Sequence, residues 1–227
     1  MKPFISALLL CGGRGTRFGG PTPKQYMMLS GKKIAHYSLD VLLSSPHITE
    51  VIIVCDTSYQ EHFSSYMTDN KIVFALSGNT RQESVYSGLC SVSTLAQYVC
   101  VHDGARPFLT HDLLEATISQ AITHGAAALA VPAKNTIKMV SSTGFVAKTL
   151  ERESLVEMQT PQALCIDILK QGMKLAKERN ILASDDVSLA ELIDTPVKIV
   201  TSTYSNIKIT TKEDMALAQV LLGDSYA

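Results

Sequence analysis

The sequence predicts an α/β fold, with a mostly parallel sheet, helices on both of its faces and one projecting β-hairpin. Three observations carry this prediction. Short apolar runs alternate with longer amphipathic stretches along the 227 residues. The apolar runs are continuous rather than alternating, as in strands buried on both faces beneath helices. Residues 132–151 alone break the rhythm, with two polar, strand-like stretches around a glycine turn.

Along the chain, the apolar runs predict strands at 4–10, 50–55, 72–76, 98–102, 126–131 and 197–201. Amphipathic spacing predicts helices at 34–43, 58–67, 81–93, 111–123, 161–178, 186–193 and 212–222. Start signals support several of these. Asn79 or Thr80 is placed to cap the helix from 81, and Thr80 with Glu83 fits a capping box. Thr160 reads as an N-cap and Pro161 as the first helical residue after it. Ser184-Asp-Asp186 puts two carboxylates in the first turn of a helix. Asn206-Ile-Lys-Ile-Thr210 reads as a short strand with Lys208 on its solvent face, and Thr210 with Glu213 suggests another capping box. In the 132–151 segment, residues 136–140 and 145–150 flank Ser141-Ser-Thr-Gly144, a hairpin with a glycine-containing turn. Such a hairpin either meets a partner subunit or lies on its own domain, and the residues leave both readings open. With no internal repeat or low-complexity linker, one domain over 1–227 is expected.

Composition narrows the function classes. The chain is 46% hydrophobic and 18% charged, with a formal net charge of −1, so a broad basic face for nucleic acid is not expected. The apolar run at 4–10 is too short to span a bilayer, and a glycine loop follows it where a secretory signal would carry a cleavage region. A cytoplasmic location is the default expectation. Five cysteines, at 11, 55, 90, 100 and 165, include no CxxC pair, which argues against a zinc site or disulfide framework. Cys55 and Cys100 lie in apolar runs and read as core residues.

Chemistry is signalled first at 11–25. A strand runs straight into Cys11-Gly-Gly-Arg-Gly-Thr-Arg-Phe-Gly19, then Pro23-Lys-Gln25. A loop of this kind can lay backbone N–H groups around phosphate, with Arg14, Arg17 and Lys24 adding charge. It matches neither the GxGxxG fingerprint nor a P-loop, so dinucleotide or ATPase chemistry is weakly supported. A bare tight turn remains the alternative. A second glycine turn, Ser77-Gly-Asn-Thr-Arg81, leads into a helix bearing Ser84. Gly78, Arg81 and Ser84 are candidates for base-edge or phosphate contacts. The third signal is His102-Asp-Gly-Ala-Arg-Pro107, just beyond a strand, where open parallel sheets place their ligands. Asp103 is the candidate Mg²⁺ ligand and Arg106 a candidate phosphate grip. A loop ion pair between them is the alternative. No Ser–His–Asp order or HExxH appears, which suits phosphoryl or nucleotidyl transfer by positioning and charge neutralisation.

Read together and in order, these segments resemble the 2-C-methyl-D-erythritol 4-phosphate cytidylyltransferases. The matching stretches are Gly12-Gly-Arg-Gly-Thr-Arg17, Pro23-Lys-Gln25, Ser84-Val85, His102-Asp-Gly-Ala-Arg-Pro107, Gln159-Thr-Pro-Gln162, Asp185-Asp186 and Asn206-Ile-Lys-Ile-Thr210. Three departures stand out. Gly104 replaces an alanine, Cys11-Gly12 stands where many members have Ala-Ala, and Asn135 replaces an Asp before Thr136. The resemblance implies a Rossmann-like nucleotidyltransferase domain, a homodimer through the 132–151 arm, and CTP, 2-C-methyl-D-erythritol 4-phosphate and Mg²⁺ as substrates and cofactor. It implies that Arg17, Lys24 and Lys208 act on the triphosphate. Gly12, Gly13, Arg14, Gly15 and Thr16 would form its loop. Gly78 and Ser84 would line the cytosine and ribose pocket, with Arg81 shaping it. Asp103 would assist the metal and the substrate. Arg106, Thr136, Arg152 and Thr160 would surround the methylerythritol phosphate, with Thr136 and Arg152 crossing the dimer. The rival expectations are a ribitol-5-phosphate cytidylyltransferase, an enzyme acting on a sugar 1-phosphate, and a CTP-binding regulator without turnover.

Overall fold

The protein is described from a computed structural model, which covers residues 2–13, 15, 18–19 and 22–224. In chain order the elements are β1 (Ile5–Leu10), the short hairpin β2 (Met28–Leu29) and β3 (Lys32–Lys33), α1 (Ile34–Ser44), β4 (Glu50–Val54) and β5 (Ile72–Ala75). Then follow α2 (Arg81–Cys90), β6 (Tyr98–Asp103), α3 (His111–His124) and β7 (Ala126–Pro132). The chain continues through the arm strands β8 (Lys138–Val140) and β9 (Val146–Thr149), then β10 (Val156–Cys165) and α4 (Ile166–Glu178). It closes with α5 (Val187–Glu191), β11 (Lys198–Thr201) and α6 (Lys212–Asp224).

Seven strands form one sheet in the order β11-β7-β10-β6-β1-β4-β5. All its neighbours pair in parallel except β10, which runs antiparallel to both β6 and β7. Successive residues of β1 and β4 feed opposite faces. Ile5, Ala7, Leu9, Val51 and Ile53 pack beneath α1 and α3 with Leu39, Leu42, Leu114 and Ile118. Leu8, Ile52 and Val54 pack beneath α2 and α4 with Val85, Leu89, Leu169 and Met173. This double burial explains why these strands lack polar alternation. Cys55 and Cys100 are core residues, as expected. No helix among the described residues is long and apolar enough to cross a membrane.

Several sequence expectations change. The helix expected at 161–178 is a strand followed by a helix: β10 runs to Cys165 and α4 begins at Ile166. Thr160 is therefore not an N-cap, and Pro161 does not open a helix. Their cis peptide bond lies where the β10–β7 register shifts between Met158 and Gln162. The polar Gln159-Thr-Pro-Gln162 hid a central strand because its polar side chains are buried and hydrogen-bonded rather than solvated. Residues 57–66 form a 3-10 segment rather than an α-helix. The 206–210 stretch forms no strand, though its Ile209 N–H donates to the Ala105 carbonyl (2.9 Å). The box before α6 is displaced by one residue: the Asp214 carboxylate accepts from the backbone of Thr210 and Thr211, so Glu213 is not its closing residue. Asp186 precedes α5, but its side chain forms no cap and turns to Arg81 instead.

Candidate active site

The open end of the sheet, beyond β1 and β6, is lined by Gly12, Gly13, Gly15, Lys24, Gly78, Arg81, Ser84, Asp103 and Lys208. Three loops and the 206–210 segment build it. The first leaves β1 with the Cys11 N–H donating to the Val54 carbonyl (2.8 Å). It is braced from the 3-10 turn at Lys24–Tyr26. Gln25 Nε2 donates to the carbonyls of Cys11 (2.5 Å) and Gly13 (2.8 Å), and the Tyr26 hydroxyl donates to Cys11 (2.8 Å). The turn that presents Lys24 thus also holds the glycine loop. Arg14, Thr16 and Arg17 lie outside the described residues.

The second loop joins β5 to α2. Thr80 caps α2, accepting from the Glu83 N–H (3.1 Å). The Glu83 carboxylate accepts from Asn79 rather than from Thr80 itself (2.8 Å). Ser84 Oγ accepts from the Gly78 N–H (3.0 Å) and donates to the Thr80 carbonyl (3.0 Å), folding the loop onto the helix start. A Cβ at Gly78 would stand 2.3 Å from that of Glu83, so only glycine fits.

The third loop follows β6. The buried Asp103 carboxylate faces Lys208 Nζ at 2.8 Å, Arg81 Nε at 3.4 Å and Arg106 Nε at 3.6 Å. Burial opposes its ionisation, but Lys208, Arg81 and Arg106 outweigh burial and hold the carboxyl well below the usual range. Arg81 also grips Asp186 with two bonds, of 2.9 and 2.7 Å. Lys24, Arg81, Arg106 and Lys208 bring four cations to this end of the sheet, groups suited to a polyanion.

Behind Asp103 lies an ordered chain of buried hydrogen bonds. The Asp103 N–H donates to Thr160 Oγ1 (3.1 Å), Thr160 Oγ1 meets His102 Nδ1 (3.1 Å), and His102 Nε2 meets the Arg106 carbonyl (3.2 Å). A carbonyl can only accept, so Nε2 carries the ring proton, and the Thr160 hydroxyl donates to Nδ1. Burial lowers the His102 pKa to about 4, which keeps the ring neutral. Arg106 is mostly buried and donates to the Asn206 carbonyl (2.8 Å). Asn206 donates to Gln159 Oε1 (2.9 Å) and to the Thr160 carbonyl (3.0 Å), tying the Lys208 segment to β10.

The structure therefore brings nine of the expected site residues to the cleft, with Arg106 and Thr160 directly behind Asp103. Thr136 and Arg152 stand apart. Both are exposed in the arm region, and Arg152 contacts the Lys134 carbonyl (3.3 Å) and Glu153 (3.6 Å). Sequence reasoning put Asp186 at a helix start and both Asp186 and Gln162 in matching segments, but gave neither a role in the site. Gln162 Oε1 accepts from the backbone of Asp186 (2.9 Å) and Val187 (3.1 Å), fixing the partner of Arg81. An Asp at a helix start looks like a cap in sequence, so its ion pair with Arg81 carried no local signal.

A mostly parallel sheet with a glycine loop and a cation-rich cleft beyond its strand ends defines the nucleotidyltransferase class. Residues 5–224 match the family model described as 2-C-methyl-D-erythritol 4-phosphate cytidylyltransferase. A protein of that name from Chlamydia pneumoniae is 44% identical over 96% of this chain and 98% of its own. A chloroplastic one from Oryza sativa subsp. japonica is 42% identical over 97% of this chain and 75% of its own. The crystal structure of 4-diphosphocytidyl-2C-methyl-D-erythritol synthase from Anaerococcus prevotii superposes with a TM-score of 0.89 at 29% identity, covering 98% of this chain and 97% of that one. The chain belongs to the 2-C-methyl-D-erythritol 4-phosphate cytidylyltransferase family.

Proposed function

We propose that this enzyme transfers CMP from CTP to 2-C-methyl-D-erythritol 4-phosphate, giving 4-diphosphocytidyl-2-C-methyl-D-erythritol and pyrophosphate in isoprenoid biosynthesis. Family membership supports the substrates and the reaction. The observation that carries the chemistry is the set of cations converging on Asp103 at the mouth of β1 and β6.

A substrate phosphate oxygen attacks the α-phosphorus of CTP in line, and pyrophosphate leaves from the opposite side. The attacking phosphate monoester is already ionised near neutral pH, so no deprotonating base is needed. Lys24, Lys208 and Arg17 neutralise the charge that builds on the α-phosphate and leaving group. Gly12, Gly13, Arg14, Gly15 and Thr16 cradle the triphosphate. Gly78 and Ser84 hold the cytidine, with Arg81 fixing that loop through Asp186. Arg106 and Thr160 support the acceptor side through Asp103.

Mg²⁺ suits this donor set as a metal carried by the triphosphate. Among the described residues, no cluster of three or more His, Cys, Asp or Glu side chains could hold it unaided. Mg²⁺ commonly binds through one or two carboxylates plus phosphate oxygens, and Asp103 offers one. When bound, the metal would neutralise phosphate charge. In a homodimer the 132–151 arm brings Thr136 and Arg152 to the neighbouring cleft, and four exposed apolar side chains on the arm, Met139, Val140, Phe145 and Val146, support such pairing. Each protomer of that dimer contributes one catalytic domain, and its place of work is the cytoplasm.

The test is pyrophosphate release from CTP and Mg²⁺ with 2-C-methyl-D-erythritol 4-phosphate and, in parallel, ribitol 5-phosphate. Release with the first alone is expected. Release with ribitol phosphate alone would move the enzyme to polyol-phosphate metabolism, and CTP binding without release from either would leave a regulator.

A further inference from the structure

The loops on the two sides of the cleft touch beneath it, at Cys11 and Gly104. Gly104 follows Asp103, and Cys11 opens the glycine loop. A Cβ added at Gly104 would stand 2.6 Å from Cys11 Sγ and 3.0 Å from the Leu10 carbonyl oxygen, with Ala35 Cβ at 3.6 Å beyond. Ordinary contacts between such atoms lie near 3.5–4 Å. Gly104 does not adopt a positive φ, so the bar to a side chain is space rather than backbone conformation.

Neither loop has room to retreat. The Gly104 N–H donates to the Leu10 carbonyl (2.9 Å), and the Cys11 N–H to Val54 (2.8 Å). The Cys11 carbonyl is held by Gln25 and Tyr26, and the residue is buried. Gly12, the next residue of the loop, lies close against Ser77, where an added Cβ would stand 2.1 Å from Ser77 Cβ. The side chain at 11 and the missing side chain at 104 thus meet at one contact. The thiol occupies the volume that a methyl group at 104 would take.

We infer that Cys11 and Gly104 are a matched pair: the thiol fills the volume that a side chain at 104 would need, so a side chain at 104 would force the triphosphate loop and the Asp103 loop apart unless the side chain at 11 is cut back. The pair acts through the spacing of the two loops it joins. The inference rests on the transferase reading for its kinetic readout, while its stability readout is independent of any activity.

The test is a double-mutant cycle on the full-length protein, read by thermal unfolding and by steady-state kinetics with CTP and 2-C-methyl-D-erythritol 4-phosphate. Gly104→Ala alone should lower kcat about tenfold or more, with a smaller change in the CTP KM, and lower Tm by about 4 °C or more. Cys11→Ala alone should lower Tm modestly and keep kcat within about threefold. The double variant C11A/G104A should recover kcat to within about threefold of the parent and should unfold well above G104A. Additive losses in the double variant, or a G104A protein with parental kcat and Tm, would overturn the inference. If G104A proves insoluble, a soluble and active double variant supports it and an insoluble one overturns it. A parent protein without turnover would count against the transferase reading, while the Tm cycle would still decide the contact.

Discussion

The cleft and the arm are built in opposite ways. At the cleft, each main group is held by another part of the same chain. Gln25 and Tyr26 brace the glycine loop, Asp186 holds Arg81, Thr160 holds the Asp103 backbone, and Asn206 ties the Lys208 segment to β10. The arm is a two-stranded ribbon of three and four residues, with Phe145 75% and Val140 64% exposed. An isolated hairpin of that kind is marginal in water. The contrast separates two tasks. Charge stabilisation demands groups fixed before substrate arrives, whereas the arm's exposed apolar side chains are what the proposed homodimer would cover.

The largest effects should come from the cleft. Lys24→Ala and Lys208→Ala should each lower kcat/KM by roughly 100-fold or more, about 3 kcal/mol of transition-state stabilisation, by analogy with loss of one oxyanion donor. Thermal unfolding should show both variants folded. Near-parental turnover in either would remove that lysine from the chemistry. Next comes the brace behind it. Arg81→Ala leaves Asp186 buried without its bidentate partner and should cost about 3 kcal/mol of stability, measured by urea unfolding. A loss under about 1 kcal/mol would mean that solvent replaces the guanidinium there.

How legible this was depended on where each signal lived. β1, β4 and β6 read directly, because strands buried on both faces are uninterrupted apolar runs such as Val51-Ile-Ile-Val54. The glycine loop and the Asp103 loop read from local composition, and Thr80 capped α2 as its spacing indicated. β10 did not read, since Gln159, Thr160 and Gln162 are polar groups satisfied by segments far away in sequence. Lys208 looked like a solvated lysine because its partner, Asp103, lies 105 residues earlier. The Arg81–Asp186 pair spans the same separation. Local pattern specifies elements, while the site's ion pairs exist only after the sheet has brought distant loops together.

Two smaller predictions sharpen the comparison. His102 is fully buried, and its pKa falls from 6.5 to about 4 on folding. Between those values the unfolded chain binds the proton that the native ring refuses, so stability is complete above about pH 6.5 and is lost as pH falls through 4. The loss from this residue reaches at most about 3 kcal/mol. Burial lowers His36 and His62 as well, so His102→Gln should shrink the pH dependence of Tm in that window without abolishing it. An unchanged slope would place the titrating group elsewhere. The smallest effect belongs to the arm. Arg152→Ala should raise the KM for 2-C-methyl-D-erythritol 4-phosphate about tenfold, with the CTP KM unaltered and stability within about 0.5 kcal/mol of the parent. Equal changes in both KM values would erase the division between arm and cleft.

The antiparallel β10 has a consequence for how the chain is made. It fills the slot between β6 and β7, yet both neighbours precede it in the sequence. Until residue 165 has left the ribosome, β6 and β7 each present an unpaired apolar edge, the kind of edge that recruits strands from other chains. The same late strand delivers Thr160 to Asp103, so this part of the cleft is completed only after the stage at which those edges stand open.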